Sequence, residues 1–411
     1  MNFEKQSAEF VYDFVKKVID TTGPRLPGSE EEAMSIPIIT EKMEKATGNK
    51  AIVEPFTFAP RASIGAISLL GYFSLPSILL GFISPIIPFV VCISCLVFAI
   101  FQIFTYKGVF DFLFKKETSH NVYSTLEPAN GEEAEYSIMF SGHKDSSWCW
   151  NHSLKNAKTV PIKTGIGVGS VLTAAIISLV RIIVGPLLFI GAGASVFQIV
   201  LYVLPLLCIP GTIFLCQYLS WDKTKASPGA MDNLTGVGFS ILVANYYKEN
   251  PDKQPKNCRI ICAALDAEEA GLKGSLAFCK QHENDGMLNN LYVVNIDSIR
   301  DFEHFYAVKG DLWLGTHFDD NMIKMACESM QEVGRKGGQI YNPVGGCDST
   351  PFCRKGIPTV TMIAQNPVAT NYYHTSNDKY EDLDMNTLEK FSTAIIKMSE
   401  KVAQYHEDTK K

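Results

Sequence analysis

Three acidic residues follow an apolar run near the middle of the chain. Asp266, Glu268 and Glu269 come directly after residues 260–265 (IICAAL) and precede a glycine-containing turn. A short apolar run bounded by turn formers predicts a buried strand, and open α/β sheets place their chemistry just beyond such strand ends. One glutamate can bind a metal ion while its neighbour acts as a general base. Taken alone, the same residues also fit two solvated glutamates at the start of a helix.

Four further residues of metal-binding types follow other predicted strands or turns. They are His143 after residues 136–140, Asp232 before a helix at 236–247, Asp297 after residues 291–296 and His374 after residues 359–363. Together with the glutamates, they are expected on one edge of a parallel sheet, where histidine and carboxylate donors suit zinc or a similar divalent ion. The set is larger than one tetrahedral zinc ion with an open position needs, so a carboxylate that bridges two ions fits it. Asp145 is placed to hold the His143 imidazole in one tautomer.

The elements that must position these residues alternate between strand and helix patterns. Helices are predicted at 3–22, from Ser29 to about Ala46, at 321–333 and at 385–405, and further strands at 51–58 and 120–124. Such alternation predicts a mostly parallel α/β sheet.

Two long apolar stretches interrupt this pattern. Residues 62–106 contain no charge, and residues 164–221 contain only Arg181. A bilayer-spanning helix needs about 20 apolar residues. The first stretch therefore predicts two spans, and the second predicts spans near 164–184 and 187–207, with 208–221 at the membrane surface. If the flanking segments belong to one domain, each stretch must leave and return on the same side of the membrane. Two crossings in each stretch, four in total, meet this requirement. The predicted division is a catalytic domain of residues 1–61, 107–163 and 222–411, with transmembrane hairpins at 62–106 and 164–221.

Composition narrows the function classes. The chain has 411 residues, 46% of them hydrophobic, and a net charge of −6, which gives no reason to expect a nucleic-acid partner. Its 11 cysteines show no paired metal or disulfide pattern and predict reduced thiols. The N-terminus lacks the apolar core of a signal peptide.

Seven segments in order resemble the M28 family of metallopeptidases. They are TGPRLPGS ending at Ser29, SGHKDS (141–146), GAMDNLTG (229–236), DAEEAGLKGS (266–275), NID (295–297), GCDSTPFCRKGIP (346–358) and YHTSNDKYEDLD (373–384). The chain departs from the family at Ser349, where a histidine is common, so the contacts near Asp348 are open. The two apolar stretches are not part of the family's usual catalytic domain.

The resemblance implies a three-layer, mostly parallel sheet of the phosphorylase/hydrolase-like type and two zinc ions per chain. Asp232 would bridge the ions, His143 and Asp297 would complete one site, and Glu269 and His374 would complete the other. Glu268 would be the general base and would activate a hydroxide that bridges the metals. Asp145 is expected to assist catalysis, and the substrate-binding candidates are Arg300, Asp348 and Tyr373.

The expected activity is that of a membrane-integral exopeptidase that hydrolyses peptide bonds, first of all as an aminopeptidase. Three alternatives stay open. They are a carboxypeptidase or dipeptidase, a membrane amidase acting on N-acyl or lipid-linked amino acids, and, least favoured, a catalytically silent membrane binding protein. The partners are a peptide or amide substrate and the lipid bilayer, and the sequence does not define an oligomeric state.

Lysine and arginine residues predict which way the catalytic domain faces. Those that flank the spans on the catalytic side are Arg61, Lys107, Lys115, Lys116, Lys155, Lys158, Lys163, Lys223 and Lys225. Only Arg181 is a candidate on the other side, so the catalytic domain is expected in the cytoplasm. Glycosylation patterns at Asn151 and Asn233 point the other way, but a glycan on Asn233 would not fit beside Asp232.

Overall fold

The structure is a computed structural model that describes residues 3–149, 159–184, 194–215, 225–343, 345–366 and 371–410. The boundary between the predicted spans 164–184 and 187–207, the glycosylation pattern at Asn151 and the end of the segment 208–221 lie outside these residues. So do three of the flanking lysines, Lys155, Lys158 and Lys223.

One mixed sheet forms the centre of the chain outside the two apolar stretches. Its strands are β1 (Ile52–Phe58), β2 (Glu117–Leu126), β3 (Tyr136–His143), β4 (Cys258–Leu265), β5 (Leu291–Ile299), β6 (Phe305–Asp311), β7 (Gly338–Asn342) and β8 (Thr359–Ala364). The order is β1-β2-β4-β3-β5-β8-β6-β7, and the central strands β4, β3, β5 and β8 are parallel. Strand β2 pairs antiparallel with both β1 and β4, and β6 pairs antiparallel with β8. The α/β sheet that the sequence predicts is therefore confirmed, with antiparallel pairs towards both edges.

Helices cover both faces of the sheet. The α-helices of the described residues are α1 (Phe3–Thr22), α2 (Glu30–Thr47), α3 (Ala62–Leu80), α4 (Ile86–Ala99), α5 (Val160–Val184), α6 (Ala194–Val203), α7 (Cys208–Ile213), α8 (Thr235–Glu249), α9 (Lys273–Gln281), α10 (Asp320–Glu332), α11 (Ser349–Arg354) and α12 (Met385–Thr409). Helix α8 packs on the central strands, and α1, α2 and α12 surround it. Helices α9 and α11 lie on the opposite face. Burial on both faces explains why the central strands contain continuous apolar runs such as IICAAL (260–265) in β4.

A second apolar cluster lies among the helices of the two inserted stretches. Helix α4 packs against α3 and α5, and α7 packs against α3 and α5. The cluster includes Leu70, Ile78, Cys92, Val171 and Cys208. Two stretches, Ile86–Phe104 and Ile162–Val184, are long and apolar enough to cross a membrane, and Leu69–Leu80 and Ile199–Ile213 are shorter. The predicted four-span region is not confirmed by these residues and stays a prediction.

A buried ion network joins the start of α2 to the end of β3. The Ser29 hydroxyl accepts the Glu32 backbone N–H at 3.1 Å, as a helix N-cap does. The Glu32 carboxylate does not complete a capping box. It accepts the Ser119 hydroxyl at 3.1 Å and pairs with Lys144, which also lies 3.2 Å from Asp266. Glu32, Lys144 and Asp266 are all buried, so this network fixes the residues next to His143.

We expect Glu32→Ala to destabilise the protein strongly, because it leaves the buried Lys144 ammonium with one fewer counter-charge. Removal of one partner of a buried ion pair costs about 3–5 kcal/mol. The thermal unfolding midpoint measures the effect. Glu41→Ala is the control, because Glu41 pairs with Lys45 in an exposed position and should leave the midpoint almost unchanged. Equal midpoints for the two variants would show that the buried pair is not stabilising.

Candidate metal centre

The predicted metal-binding residues meet at the carboxyl ends of the central parallel strands. His143 is the last residue of β3, residues 266–275 follow β4, and Asp297 lies near the end of β5. Asp232 precedes α8, and His374 lies in the segment after β8. Because parallel strands end at the same edge of a sheet, residues far apart in sequence reach one place.

Two clusters of donor atoms share Asp232. In the first, His143 Nε2 lies 3.2 Å from Asp232 Oδ1 and 3.9 Å from Asp297 Oδ1. In the second, His374 Nε2 lies 3.2 Å from both Asp232 Oδ2 and Glu269 Oε1. The donor atoms within each cluster all lie within 4.8 Å of one another. Each oxygen of the Asp232 carboxylate thus faces a different histidine.

The geometry of the two clusters fits a divalent ion in each. Among the described residues, His143 Nε2, Asp232 Oδ2 and Glu269 Oε1 are buried and have no hydrogen-bond partner. Buried polar atoms are almost always hydrogen-bonded or bound to an ion, so these atoms call for a ligand. Zinc holds nitrogen and oxygen donors at about 2.0–2.2 Å in a tetrahedron, which separates neighbouring donors by roughly 3.3 Å. The 3.2 Å separations match that spacing.

Asp145 orients both the first histidine and the loop that carries the glutamates. His143 Nδ1 lies 3.2 Å from the Asp145 carbonyl oxygen and 3.4 Å from its Oδ1, which turns Nε2 towards Asp232. The Asp145 carboxylate also accepts the backbone N–H groups of Glu268 and Glu269, at 3.2 and 3.1 Å. One buried carboxylate therefore fixes the relative positions of His143 and the two glutamates.

Asp378 holds the backbone of the shared aspartate. Its carboxylate accepts the N–H groups of Met231 at 2.8 Å and of Asp232 at 3.1 Å. On the other side, the Asn233 side chain donates to the Ile296 carbonyl and accepts the Ser298 N–H, which ties this turn to β5. The Asp232 carboxylate is thus presented by a turn that is fixed from two directions.

The titration behaviour reflects crowded negative charge. Burial raises the pKa of Glu268 well above its usual range, and the charges of Glu269 and Asp348 add to the effect against the opposing charge of His143. Burial also raises the pKa of Asp297 to about 6. In contrast, burial opposes the charged form of His374, but Glu269 and Asp232 together raise its pKa to about 10. A bound cation would oppose the rise in the pKa of these carboxylates, and a site this rich in carboxylates favours the binding of a cation.

The three substrate-binding candidates lie in different surroundings. The Asp348 carboxylate is buried, accepts the Ser275 hydroxyl at 2.6 Å, and has its pKa raised to about 7 by burial. The Tyr373 ring stacks on His374, with ring centroids 3.8 Å apart. The Arg300 guanidinium lies 4.0 Å from the centre of the Tyr372 ring and its Nε is 3.9 Å from Asp301, outside both donor clusters.

Two residues that position the site, Asp378 and Arg25, were not predicted, although both lie in segments that carry the family resemblance. Asp378 is four residues after His374 in YHTSNDKYEDLD, so its place in that segment was an available signal. Arg25, in TGPRLPGS, is fully buried and donates to the carbonyl oxygens of Lys144 at 2.9 Å and Gly229 at 3.0 Å. It therefore joins the turn after His143 to the turn before Asp232.

Comparison with known proteins gives a family match and a shared fold. The profile described as Peptidase family M28 matches residues 220–399, which include every donor residue of the two clusters except His143. The structure adds His143 from the end of β3. No curated protein matches the chain significantly.

Solved structures of similar fold cover nearly the whole chain. The zinc aminopeptidase BSAP from Bacillus subtilis aligns with a TM-score of 0.56 at 14% identity, over 95% of this chain and 93% of its own. An aminopeptidase from Aneurinibacillus sp. strain AM-1 aligns with a TM-score of 0.54 at 14% identity, over 95% and 92%. A glutaminyl cyclase from an Acidobacteriales bacterium aligns with a TM-score of 0.54 at 14% identity, over 98% and 96%. At sequence identities this low, the similarity establishes the fold alone.

We expect Asp378→Ala to weaken zinc binding by about 10- to 100-fold, because residues that orient metal ligands contribute affinity of that order. Competition with a chromogenic chelator measures the dissociation constant. Asp382→Ala is the control, because Asp382 is exposed in the same segment. Unchanged zinc affinity in the correctly folded Asp378 variant would contradict the positioning role.

Proposed function

We propose that the chain, whose residues 220–399 match the profile of Peptidase family M28, is a membrane-integral di-zinc aminopeptidase. The family match and the folds of zinc aminopeptidases support a zinc-dependent hydrolase. The observation that carries the finer proposal is the pair of donor clusters that share Asp232, with Glu268 beside them.

His143, Asp232 and Asp297 would hold one ion, and Asp232, Glu269 and His374 would hold the other. When bound, such ions polarise a carbonyl oxygen and lower the pKa of water from about 15.7 towards about 7. Asp145 and Asp378 keep the donors in place through the hydrogen bonds described above. The count of two ions and the bridging role of Asp232 belong to the proposal.

Glu268 is the proposed proton carrier. Its backbone is held by Asp145, whereas its carboxylate belongs to neither donor cluster. The carboxylate would take a proton from the attacking water and return it to the leaving amine when the peptide bond breaks. A raised pKa suits this exchange because a general base works best when its pKa approaches the operating pH.

Charge supports an aminopeptidase over a carboxypeptidase. The carboxyl groups of Glu268, Asp297 and Asp348 interact electrostatically within one site, which favours the ammonium group of a free peptide N-terminus. A carboxypeptidase needs a cation for the substrate carboxylate. The candidate cation, Arg300, instead stacks on Tyr372 and lies near Asp301.

A glutaminyl cyclase is the second candidate, because two glutaminyl cyclases share the fold with TM-scores of 0.54 and 0.53. Peptides with N-terminal glutamine distinguish the two activities. An aminopeptidase releases free glutamine, whereas a cyclase releases ammonia and leaves a pyroglutamyl peptide. Parallel incubation with N-acyl amino acids tests the membrane amidase alternative.

We expect Glu268→Gln to retain zinc and to lose turnover by at least about 100-fold, since it removes the proton carrier alone. Initial rates on aminoacyl substrates, together with zinc content, measure both properties. A variant with normal zinc and full activity would exclude Glu268 as the general base.

The membrane proposal has four spans in two hairpins, at 62–106 and 164–221, inserted into a catalytic domain of residues 1–61, 107–163 and 222–411. Only 22% of the apolar window in Ile86–Phe104 and 39% of that in Ile162–Val184 is buried, so both helices expose mostly apolar surface. After the first hairpin, Phe112 and Leu113 are 69% and 61% exposed and are followed by Lys115 and Lys116. Apolar residues beside lysines suit a membrane surface.

We expect the catalytic domain to face the cytoplasm, because the lysines and arginines that flank the proposed spans lie on its side. Cys149 and Cys258 are buried and are poor probes of topology. Glu133→Cys, at an exposed loop position, should resist a membrane-impermeant maleimide in intact cells and react after permeabilisation. Cys353→Ser serves as the background, because Cys353 is partly exposed.

Ile83→Cys is the matched control, since Ile83 is 78% exposed in the turn between α3 and α4. It should react in intact cells. Labelling of Glu133→Cys but not of Ile83→Cys without permeabilisation would reverse the proposed orientation.

A further inference from the structure

Residues at the start of the first apolar insertion and just after its end contact the loop of residues 266–275, which we call the glutamate loop. At the beginning, the Ser63 hydroxyl donates to the Ala270 carbonyl oxygen at 3.2 Å. Five residues after its end, Asp111 Oδ2 lies 2.8 Å from Lys273 Nζ. The second Asp111 oxygen accepts the Gln102 amide at 2.9 Å. The insertion is therefore attached to the loop that carries Glu268 and Glu269.

Tyr106 lies where this insertion reaches the glutamate loop. It lies two residues after the apolar stretch Ile86–Phe104 and has a positive φ of 52°, a backbone conformation that residues other than glycine rarely adopt. A Cβ atom added at Gly271 would lie 3.4 Å from Tyr106 Cγ and Cδ1, and one at Gly346 would lie 3.3 Å from Cε2. The ring thus fits closely against two glycines, one in the glutamate loop and one just before Asp348.

The Tyr106 ring is also close to the proposed reaction centre. Gly271 is two residues after Glu269, and Gly346 is two residues before Asp348. The ring therefore lies beside the segments that carry these carboxylates. Leu272 and Leu314 border the same place, because both would contact a Cβ atom at Gly346. An aromatic and aliphatic wall thus lies beside the carboxylates.

We propose that Tyr106 forms one wall of the substrate pocket and contacts the side chain of the peptide's N-terminal residue. The substrates favoured would be peptides with a large apolar N-terminal residue, because the wall is made of the tyrosine ring and leucines. The first apolar insertion is then part of the active site as well as an anchor. The class of substrate rests on the proposed function, whereas the place of the Tyr106 ring beside the glutamate loop rests on its packing against Gly271 and Gly346.

The test uses the full chain in detergent, loaded with zinc, and compares alanyl, leucyl and phenylalanyl amides. Tyr106→Ala should reduce the preference in kcat/KM for leucyl over alanyl amide by at least about tenfold, mainly through KM, as expected when an apolar pocket loses a wall. Tyr106→Phe should keep the preference, because it keeps the ring. Tyr72→Ala is the control, since Tyr72 is 57% exposed on helix α3 of the same insertion.

A binding measurement separates this inference from the proposed activity. Calorimetry measures the affinities for leucine hydroxamate and glycine hydroxamate, and therefore the preference of the pocket, without turnover. If the wild-type chain cleaves no aminoacyl amide but Tyr106→Ala still loses the preference for leucine hydroxamate, the aminopeptidase proposal fails and the role of Tyr106 stands. If zinc-loaded Tyr106→Ala keeps the wild-type preference in both measurements, the role of Tyr106 is excluded.

Tyr106→Leu covers the case in which the alanine variant does not fold. It should retain an apolar wall and favour leucyl over phenylalanyl amide more strongly than the wild type does. An unchanged ratio of leucyl to phenylalanyl cleavage and an unchanged ratio of hydroxamate binding in this variant would also overturn the inference.

Discussion

The shared position of Asp232 is the constraint on which the rest of the catalytic part depends. Its two carboxylate oxygens lie 3.2 Å from different histidines, so a small rotation of the side chain would disturb both clusters. The backbone that carries this side chain is held in place, because Asp378 accepts the backbone N–H of Asp232 and Asn233 ties the same turn to β5. Without bound ions, a buried carboxylate between two imidazoles, with other carboxylates nearby, is an incompletely satisfied polar network.

Fully buried charges beneath the site stabilise this arrangement. The Arg25 guanidinium donates to carbonyl groups in the turns next to His143 and Asp232, and Lys144 lies between Glu32 and Asp266. These groups make the relative positions of β3, β4 and the Asp232 turn depend on the start of α2 and on the segment between α1 and α2. Precise placement of metal donors requires such supporting contacts, because donors on loops alone are held less rigidly.

The sequence predicted the residues that meet at the candidate metal centre because each follows a strand or precedes a helix with a clear local pattern. Strand ends in a parallel sheet converge whatever the order of the strands, so Asp297 and His374 could be placed together without knowing the topology. Strand β6 and the edge strand β7 were not predicted. Strand β7 is short and only partly buried, and it pairs with β6. Non-local pairings of this kind leave little trace in local periodicity.

Contacts between segments that are distant in sequence could not be predicted from local patterns either. Glu32 has the spacing of a capping box after Ser29, yet its carboxylate pairs with Lys144, which is distant in sequence. Tyr106 sits at the end of an apolar stretch and carries no pattern of its own, so only its packing against Gly271 and Gly346 reveals its position. In both cases, tertiary contacts determine what the side chain does.

Diffraction at the zinc absorption edge from crystals of the zinc-loaded chain tests the central claim most directly. The account predicts two anomalous peaks about 3.5–4 Å apart. One should be bounded by His143 and Asp297, the other by Glu269 and His374, with the Asp232 carboxylate between them. A single peak, or two peaks with Asp232 in contact with only one, would contradict the shared site.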